Sequence, residues 1–301
     1  MPIAVIILIV LAVLLLALGF TLASYSLRIR RQTLPQARQW QESRYDLGWY
    51  DAASKEDYTV KAKDGYVLHA QLIKNPIDAG RYVIISHGYT DNRFGALKYA
   101  GMYLKLGFHV VVYDLRGHGE NAESLCTYSV RERQDLYQLI NDTRTRHPGL
   151  KALGIHGESL GAATSIACLE FHPEIDFVVA DCGFSEIRSV MAAGLKNMRL
   201  PVFLLPLASL CAKLRCGYSY GQMRPIDSLT RNKVPVLFMH GADDDFIPPL
   251  HSQRMRETTQ GFSEIHLIPD AGHAVSIFTA PEAYREYVVS FLKQCGVDVA
   301  E

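Results

Sequence analysis

The sequence contains Gly157-Glu158-Ser159-Leu160-Gly161 directly after the apolar run Ala152–His156. Small residues on both sides of a serine permit a sharp turn from a strand into a helix, which exposes the serine hydroxyl. The stretch Leu160–Phe171 that follows has the composition of a helix. The alternative is a Gly-rich turn with a capping serine. The position after an apolar strand favours Ser159 as a nucleophile.

Short apolar runs alternate with helix-like stretches on both sides of this turn. Tyr58–Ala62 and Tyr66–Ile73 flank Lys63-Asp64-Gly65 and predict a β-hairpin. The predicted strands that follow are Tyr82–Ser86, Val110–Asp114, Ala152–His156, Phe177–Asp181, Val236–His240 and Ile265–Pro269. Most are continuously apolar, as expected of parallel strands that are covered on both faces. The pattern therefore predicts an α/β fold, with a mostly parallel sheet wrapped by helices and a leading antiparallel hairpin.

A serine hydroxyl is a poor nucleophile at neutral pH unless a base, oriented by an acid, removes its proton. Candidates for both groups follow predicted strands. An acidic cluster, Asp243–Asp245, comes shortly after Val236–His240, and His273 comes shortly after Ile265–Pro269. Because carboxyl ends of parallel strands meet at one edge of a sheet, we expect these side chains to lie near Ser159.

These motifs, in the order Ser, Asp, His, resemble the α/β-hydrolase family, including its membrane-anchored bacterial members of the prolyl-oligopeptidase-like branch. The resemblance covers about residues 58–296. In that family a His-Gly-x-x-Asp-x-x-Val/Ile-Pro segment supplies the acid, which maps to Asp244, with Ile247 and Pro248 in register. His273 matches the family's Gly-His base. The resemblance thus implies a catalytic triad of Ser159, Asp244 and His273.

Two backbone N–H groups are expected to bind the negative charge that develops on a substrate carbonyl oxygen. Leu160 follows the nucleophile, so its N–H points to where an oxyanion would form. His87-Gly88-Tyr89-Thr90 resembles the family segment that supplies the second donor, which implies the N–H of Tyr89. The resemblance assigns His87 and His118 to the scaffold.

Other kinds of site find little support in the sequence. Lys plus Arg and Asp plus Glu number 31 each, so no net charge favours nucleic acid as a partner. The six cysteines are scattered without metal-ligand spacing, although a Cys211–Cys216 disulfide remains an alternative to buried thiols. No dinucleotide or phosphate-binding loop is present. We therefore expect no cofactor and no metal; oligomeric state is left open.

The N-terminal segment Ile3–Ser24 is uncharged and strongly apolar. As a helix it would extend ~33 Å, enough to cross the hydrocarbon core of a bilayer. We expect a transmembrane anchor at residues 3–24; a cleaved signal peptide is the alternative. Residues 25–57 form a basic connector, predicted to lie on lipid headgroups or simply in solvent. Because Arg28, Arg30 and Arg31 follow the apolar segment, the domain at 58–296 is expected to face the cytoplasm.

Residues 183–233 separate two predicted strands and are too numerous for a simple crossover. They include an apolar stretch, Leu200–Leu214, that Pro201 and Pro206 interrupt. Such an insertion is typical of a helical cap over a site, and a packed crossover helix with an ordinary loop is the alternative.

The predicted reaction is hydrolysis of a small or lipid-like acyl ester by a serine hydrolase of the carboxylesterase or lipase type. A serine peptidase is one alternative, although the short connector leaves no room for the gating domain of prolyl oligopeptidases. A thioesterase acting on acylated protein is another. A membrane-tethered scaffold without activity is a third, since a fold alone does not establish a function.

Overall fold

A single eight-stranded sheet runs through the part of the chain that the computed structural model describes, residues 2–300. The strands are β1 (Lys55–Lys61), β2 (Val67–Ile73), β3 (Arg81–Ser86), β4 (His109–Tyr113), β5 (Ala152–Glu158), β6 (Phe177–Asp181), β7 (Val236–Gly241) and β8 (Ser263–Ile268). Their order across the sheet is β1-β2-β4-β3-β5-β6-β7-β8. Strand β2 pairs antiparallel with β1 and β4, and all other pairs are parallel. The predicted mixed, mostly parallel sheet is confirmed.

Helices cover both faces of this sheet. They are α1 (Ile3–Leu27), α2 (Leu34–Glu42), α3 (Gly48–Ala52), α4 (Leu97–Lys105), α5 (Glu132–Arg146), α6 (Leu160–Cys168), α7 (Ile187–Asn197), α8 (Leu205–Cys216), α9 (Leu250–Thr258), α10 (Ser276–Thr279) and α11 (Pro281–Gln294). Every residue of β4, β5, β6 and β7 is buried. Alternate residues of a strand belong to separate apolar cores, Ile84 to one and Val83 and Ile85 to the other. Burial on both faces explains why these strands are continuously apolar.

Residues 25–57, predicted as a basic connector, contain two helices that pack on the domain. Helix α2 begins with a capping box, in which the Thr33 hydroxyl accepts from the Gln36 N–H and the Gln36 side chain accepts from the Thr33 N–H. Around α3, Leu47 and Tyr50 are buried in the core. Strand β1 then starts at Lys55. Neither helix was predicted, because the two are short, nine and five residues, and the segment was interpreted from its basic side chains.

The segment between β6 and β7, residues 183–233, contains two helices, α7 and α8, and three short 3₁₀ turns. The apolar stretch Leu200–Leu214 corresponds to one of these turns, Val202–Leu204, and most of α8. Pro206 lies in the first turn of α8, where a helix tolerates proline because the missing N–H would be unpaired anyway. Helix α7 precedes the apolar stretch from which the cap was predicted.

Candidate active site

Ser159 lies at the tight turn between β5 and α6. Its φ of 52° and ψ of −112° are unusual for a residue with a side chain. Glycines on either side permit this turn: a Cβ on Gly157 would lie 2.3 Å from the Gly161 carbonyl oxygen, and one on Gly161 would lie 2.1 Å from that of Ser86. The Ser159 N–H donates to the Asp181 carbonyl at 2.8 Å. The backbone therefore holds the hydroxyl at the carboxyl edge of the sheet, and strain of this kind is found at functional sites.

Three predicted side chains form a continuous chain of hydrogen-bond contacts. The Ser159 Oγ lies 3.0 Å from the His273 Nε2, and the His273 Nδ1 lies 2.7 Å from the Asp244 Oδ2. Asp244 follows β7 and His273 follows β8, so neighbouring parallel strands bring both to the same edge. A hydroxyl, an imidazole and a carboxylate in this arrangement can activate a serine for attack on a carbonyl.

The Asp244 carboxylate is buried and accepts from several donors. Its Oδ1 accepts from the backbone N–H groups of Phe246 at 3.0 Å and Ile247 at 2.9 Å. Its Oδ2 lies 3.2 Å from the His240 Nε2. Burial alone would raise the pKa of this carboxyl, but hydrogen bonds from His240 and His273 outweigh it and hold the pKa well below its usual range. Asp244 is therefore ionised at neutral pH.

The backbone N–H groups of Leu160, the first residue of α6, and of Tyr89, which follows β3, were predicted to bind an oxyanion. Within residues 2–300 neither N–H group has a hydrogen-bond acceptor. The Tyr89 loop lies beside the nucleophile, since a Cβ on Gly88 would be 3.8 Å from the Ser159 Cβ. Of the two predicted scaffold residues, His87 belongs to this loop and His118 contacts it. His87 accepts from the Leu115 N–H at 2.9 Å, and the His118 ring contacts the Tyr89 carbonyl oxygen.

A buried polar network lies behind the serine. The Glu158 carboxylate forms an ion pair with Lys98 and accepts from the Tyr99 hydroxyl at 2.6 Å. The same hydroxyl lies 3.1 Å from the Asp181 Oδ2, and burial raises the pKa of Asp181 to about 6. These contacts connect β5, α4 and β6 directly beneath the turn, so they fix the backbone that carries Ser159.

One thiol, that of Cys182, lies within 4.8 Å of ligand atoms of Asp244 and His273. These three ligand atoms are close enough together to be compared with a metal site. Burial, however, raises the pKa of the Cys182 thiol well above its usual value, and the neutral thiol is a poor metal ligand. The Asp244 and His273 side chains also already face each other, so the cluster does not fit a metal well.

A largely apolar cavity of about 380 Å³ lies beside Ser159, which forms part of its lining. This volume is in the range of small-molecule sites. Helix α7 contributes a wall that includes Val190, Met191 and Leu195, and α8 contributes Leu205 and Ala208. The apolar stretch Leu200–Leu214, which was predicted to cover the site, therefore forms only part of the cavity wall. Helix α7 contributes more of the lining residues than α8 does.

Two residues that contact the candidate triad were not predicted from the sequence. The His240 side chain, which contacts Asp244, is fixed by Ser252 at 2.7 Å from its Nδ1 and by the Ile247 carbonyl at 2.7 Å from its Nε2. The Phe246 ring packs edge-on against His273, with 5.0 Å between ring centroids. His240 lies in the His-Gly-x-x-Asp segment itself, and its spacing of four residues from Asp244 was the available signal.

The chain is similar to several known proteins. A family model described as serine aminopeptidase, S33 (Hydrolase_4) matches residues 78–212. The Bacillus subtilis protein YqkD is 33% identical over 249 residues, which are 81% of each chain. The yeast membrane protein YNL320W is 25% identical over 247 residues, 80% of each chain.

Among solved structures, the Pyrococcus furiosus esterase Pf2001 superposes with a TM-score of 0.68 at 25% identity, covering 83% of this chain and 94% of the esterase. The family match, residues 78–212, includes the strands from β3 to β6 and the strand-to-helix turn that carries Ser159. The chain therefore belongs to the α/β-hydrolase family, and it is a hydrolase.

Proposed function

We propose that the protein is a serine hydrolase that cleaves acyl esters. Ser159 attacks the ester carbonyl while His273 takes the hydroxyl proton, and Asp244 holds the imidazole in the required tautomer. The N–H groups of Tyr89 and Leu160 bind the oxyanion of the tetrahedral intermediate. His273 then gives its proton to the leaving alcohol, and water hydrolyses the acyl-enzyme by the same route. The observation that carries this proposal is the chain of contacts from Ser159 through His273 to Asp244 at an apolar cavity.

The cavity favours an acyl ester over the peptide substrate that the family description suggests. An aminopeptidase has to bind a free α-ammonium group, and burying that charge without a partner is costly. Within residues 2–300, the side chains that line the cavity include no carboxylate. The walls from α7 and α8 instead match an alkyl chain. A thioester, which presents the same acyl chain, is the second candidate.

A panel of 4-nitrophenyl esters with acyl chains of two to sixteen carbons tests this proposal, run beside an aminoacyl nitroanilide and an acyl-coenzyme A thioester. Each buried methylene contributes up to ~0.8 kcal/mol. We expect kcat/KM to rise at least about 100-fold from acetate to octanoate, because binding energy from remote carbons stabilises the transition state. Faster cleavage of the nitroanilide than of any ester would replace the esterase with a peptidase.

Helix α1 supports membrane attachment. By length and composition it can cross a bilayer, and a signal sequence would pass the same test. We propose that it is retained as an anchor and that the hydrolase domain faces the cytoplasm, because Arg28, Arg30 and Arg31 follow the helix. A membrane-impermeant amine reagent should then leave the domain's lysines unlabelled in intact cells and label them after lysis. Labelling without lysis would place the domain on the other side.

A further inference from the structure

Helix α1 has two parts with different surroundings. From Ile3 to Leu18 its side chains are exposed, whereas Gly19, Leu22, Ala23 and Leu27 are buried. The buried part packs against α8: a Cβ on Gly19 would lie 2.8 Å from the Cys211 Sγ. The last turns of α1 are thus an integral part of the catalytic domain, which is expected of a helix that is retained and not of a cleaved leader.

Hydrogen bonds join the end of α1 to residues around the cavity. The Ser26 hydroxyl lies 2.6 Å from the Tyr220 hydroxyl, and the Tyr128 hydroxyl donates to the Ser26 carbonyl. The Tyr89 hydroxyl donates to the Arg28 carbonyl at 2.7 Å. Because Tyr89 also carries one of the proposed oxyanion donors, the end of α1 is coupled directly to the proposed reaction centre.

The same part of α1 lines the cavity that contains Ser159. Leu22, Tyr25 and Ser26 form this wall, and α7 contributes Val190 and Met191 to the lining. We propose that the last two turns of α1 are a wall of the acyl-binding site, and that the substrate is an acyl ester of a membrane lipid that enters from the bilayer. This inference rests on the proposed esterase function and specifies its substrate class.

The length of α1 indicates how deeply the domain sits in the membrane. The exposed part, residues 3–18, is ~24 Å long at 1.5 Å per residue, whereas the hydrocarbon core is ~30 Å thick. If the helix spans the core, the remaining ~6 Å of hydrocarbon surrounds the part of the domain into which α1 continues. The mouth of the acyl cavity, bounded by the end of α1, then lies close to the headgroup level.

The surface of the cap near α1 suits such immersion. Helix α8, which packs on α1, exposes Leu210 and Leu214, which are 52% and 65% exposed. The turn before it exposes Phe203 at 77%. Leu210 and Leu214 are four residues apart and therefore lie on one face of α8. Insertion into the headgroup and acyl boundary would bury these side chains and that of Phe203. A lipid ester could then move its chain into the cavity without passing through water.

The first test changes the volume of the α1 wall. Full-length protein in phosphatidylcholine vesicles is assayed with 1-oleoylglycerol in the bilayer and with soluble 4-nitrophenyl acetate. We expect Leu22→Trp to lower oleoylglycerol hydrolysis at least about 10-fold and acetate hydrolysis less than about 2-fold, because the short acyl group does not reach this wall. Leu16→Trp is the matched control, since Leu16 lies in the exposed part of the helix; it should leave both rates unchanged.

If the tryptophan of Leu22→Trp prevents folding, Leu22→Ala tests the same wall. It should also lower the ratio of the oleoylglycerol rate to the acetate rate, because the chain loses contacts with the wall. An unchanged ratio in both Leu22 variants, with acetate hydrolysis retained, would overturn the inference while leaving the esterase proposal intact. If the wild-type protein cleaves neither ester, the proposed function itself fails.

The second test addresses entry from the bilayer. Phe203→Glu should lower hydrolysis of bilayer oleoylglycerol several-fold and spare acetate, because a carboxylate resists insertion into lipid. Val67→Glu is the control, on the β1–β2 hairpin, where Val67 is 44% exposed. Equal rates on bilayer substrate for Phe203→Glu and the control would contradict entry at this surface.

Discussion

We expect Ser159→Ala to abolish ester hydrolysis, with a loss in kcat of at least about 10⁴-fold. The alanine has no hydroxyl to attack the carbonyl, so His273 and the two oxyanion N–H groups are left with only the slow attack of water. The loss is measured with 4-nitrophenyl butyrate on full-length protein in detergent. A fluorophosphonate, which reacts with activated serines, should label the wild-type protein and not this variant.

Ser165→Ala is a matched control for this experiment. Ser165 is another buried serine, within α6, and its Oγ has no hydrogen-bond partner within residues 2–300. Its replacement should leave both hydrolysis and labelling at wild-type levels. Labelling of Ser159→Ala as strong as that of the wild type would mean that another serine is the nucleophile.

Asp244→Asn should lower kcat about 10⁴-fold, the second largest effect that we expect. Asp244 faces two backbone N–H groups, His240 and His273, and the carboxylate accepts from all of them. Asparagine has one acceptor oxygen and one donor group in place of two acceptors. Its NH₂ must therefore face a donor, so the His273 imidazole is left in the wrong tautomer or orientation to take the serine proton.

The neighbouring acids give the comparison. Asp243 and Asp245 are exposed, whereas Asp244 is 3% exposed. Asp243→Asn and Asp245→Asn should change kcat less than about 3-fold under the same conditions. If Asp243→Asn were the severe change, the assignment of the acid within this loop would be wrong. Circular dichroism of each variant separates loss of activity from loss of fold.

The fold class was predictable because its signals are local. Strands buried on both faces need continuous apolar runs, and a nucleophile at a strand-to-helix turn needs small residues on both sides, as at Gly157 and Gly161. Both requirements appear within windows of five to ten residues. The capping box at Thr33 was an equally local signal for α2. This helix was nevertheless not predicted, because the segment was interpreted from its basic residues.

The order of the strands could not be predicted in the same way. Strand β4 inserts between β2 and β3, so it pairs antiparallel with one and parallel with the other. No pattern in a single strand specifies its neighbours, because continuous apolar runs are interchangeable as partners. Register and order depend on how the connecting helices pack on the two faces of the sheet.

The sequence by itself determined the sheet, the candidate triad of Ser159, Asp244 and His273, and an N-terminal helix long enough for a membrane. Each follows from residue type and from position after a strand or within an apolar run. Only the tertiary structure decided that the end of that helix lines the cavity beside Ser159. The hydrogen bond between Ser26 and Tyr220 joins residues 194 positions apart. The apolar residues of α1 that pack on the domain, such as Leu22 and Ala23, are of the same types that a lipid-facing helix requires. Composition cannot distinguish the two surroundings, because lipid and a protein core are both apolar; the difference arises only when the chain has folded.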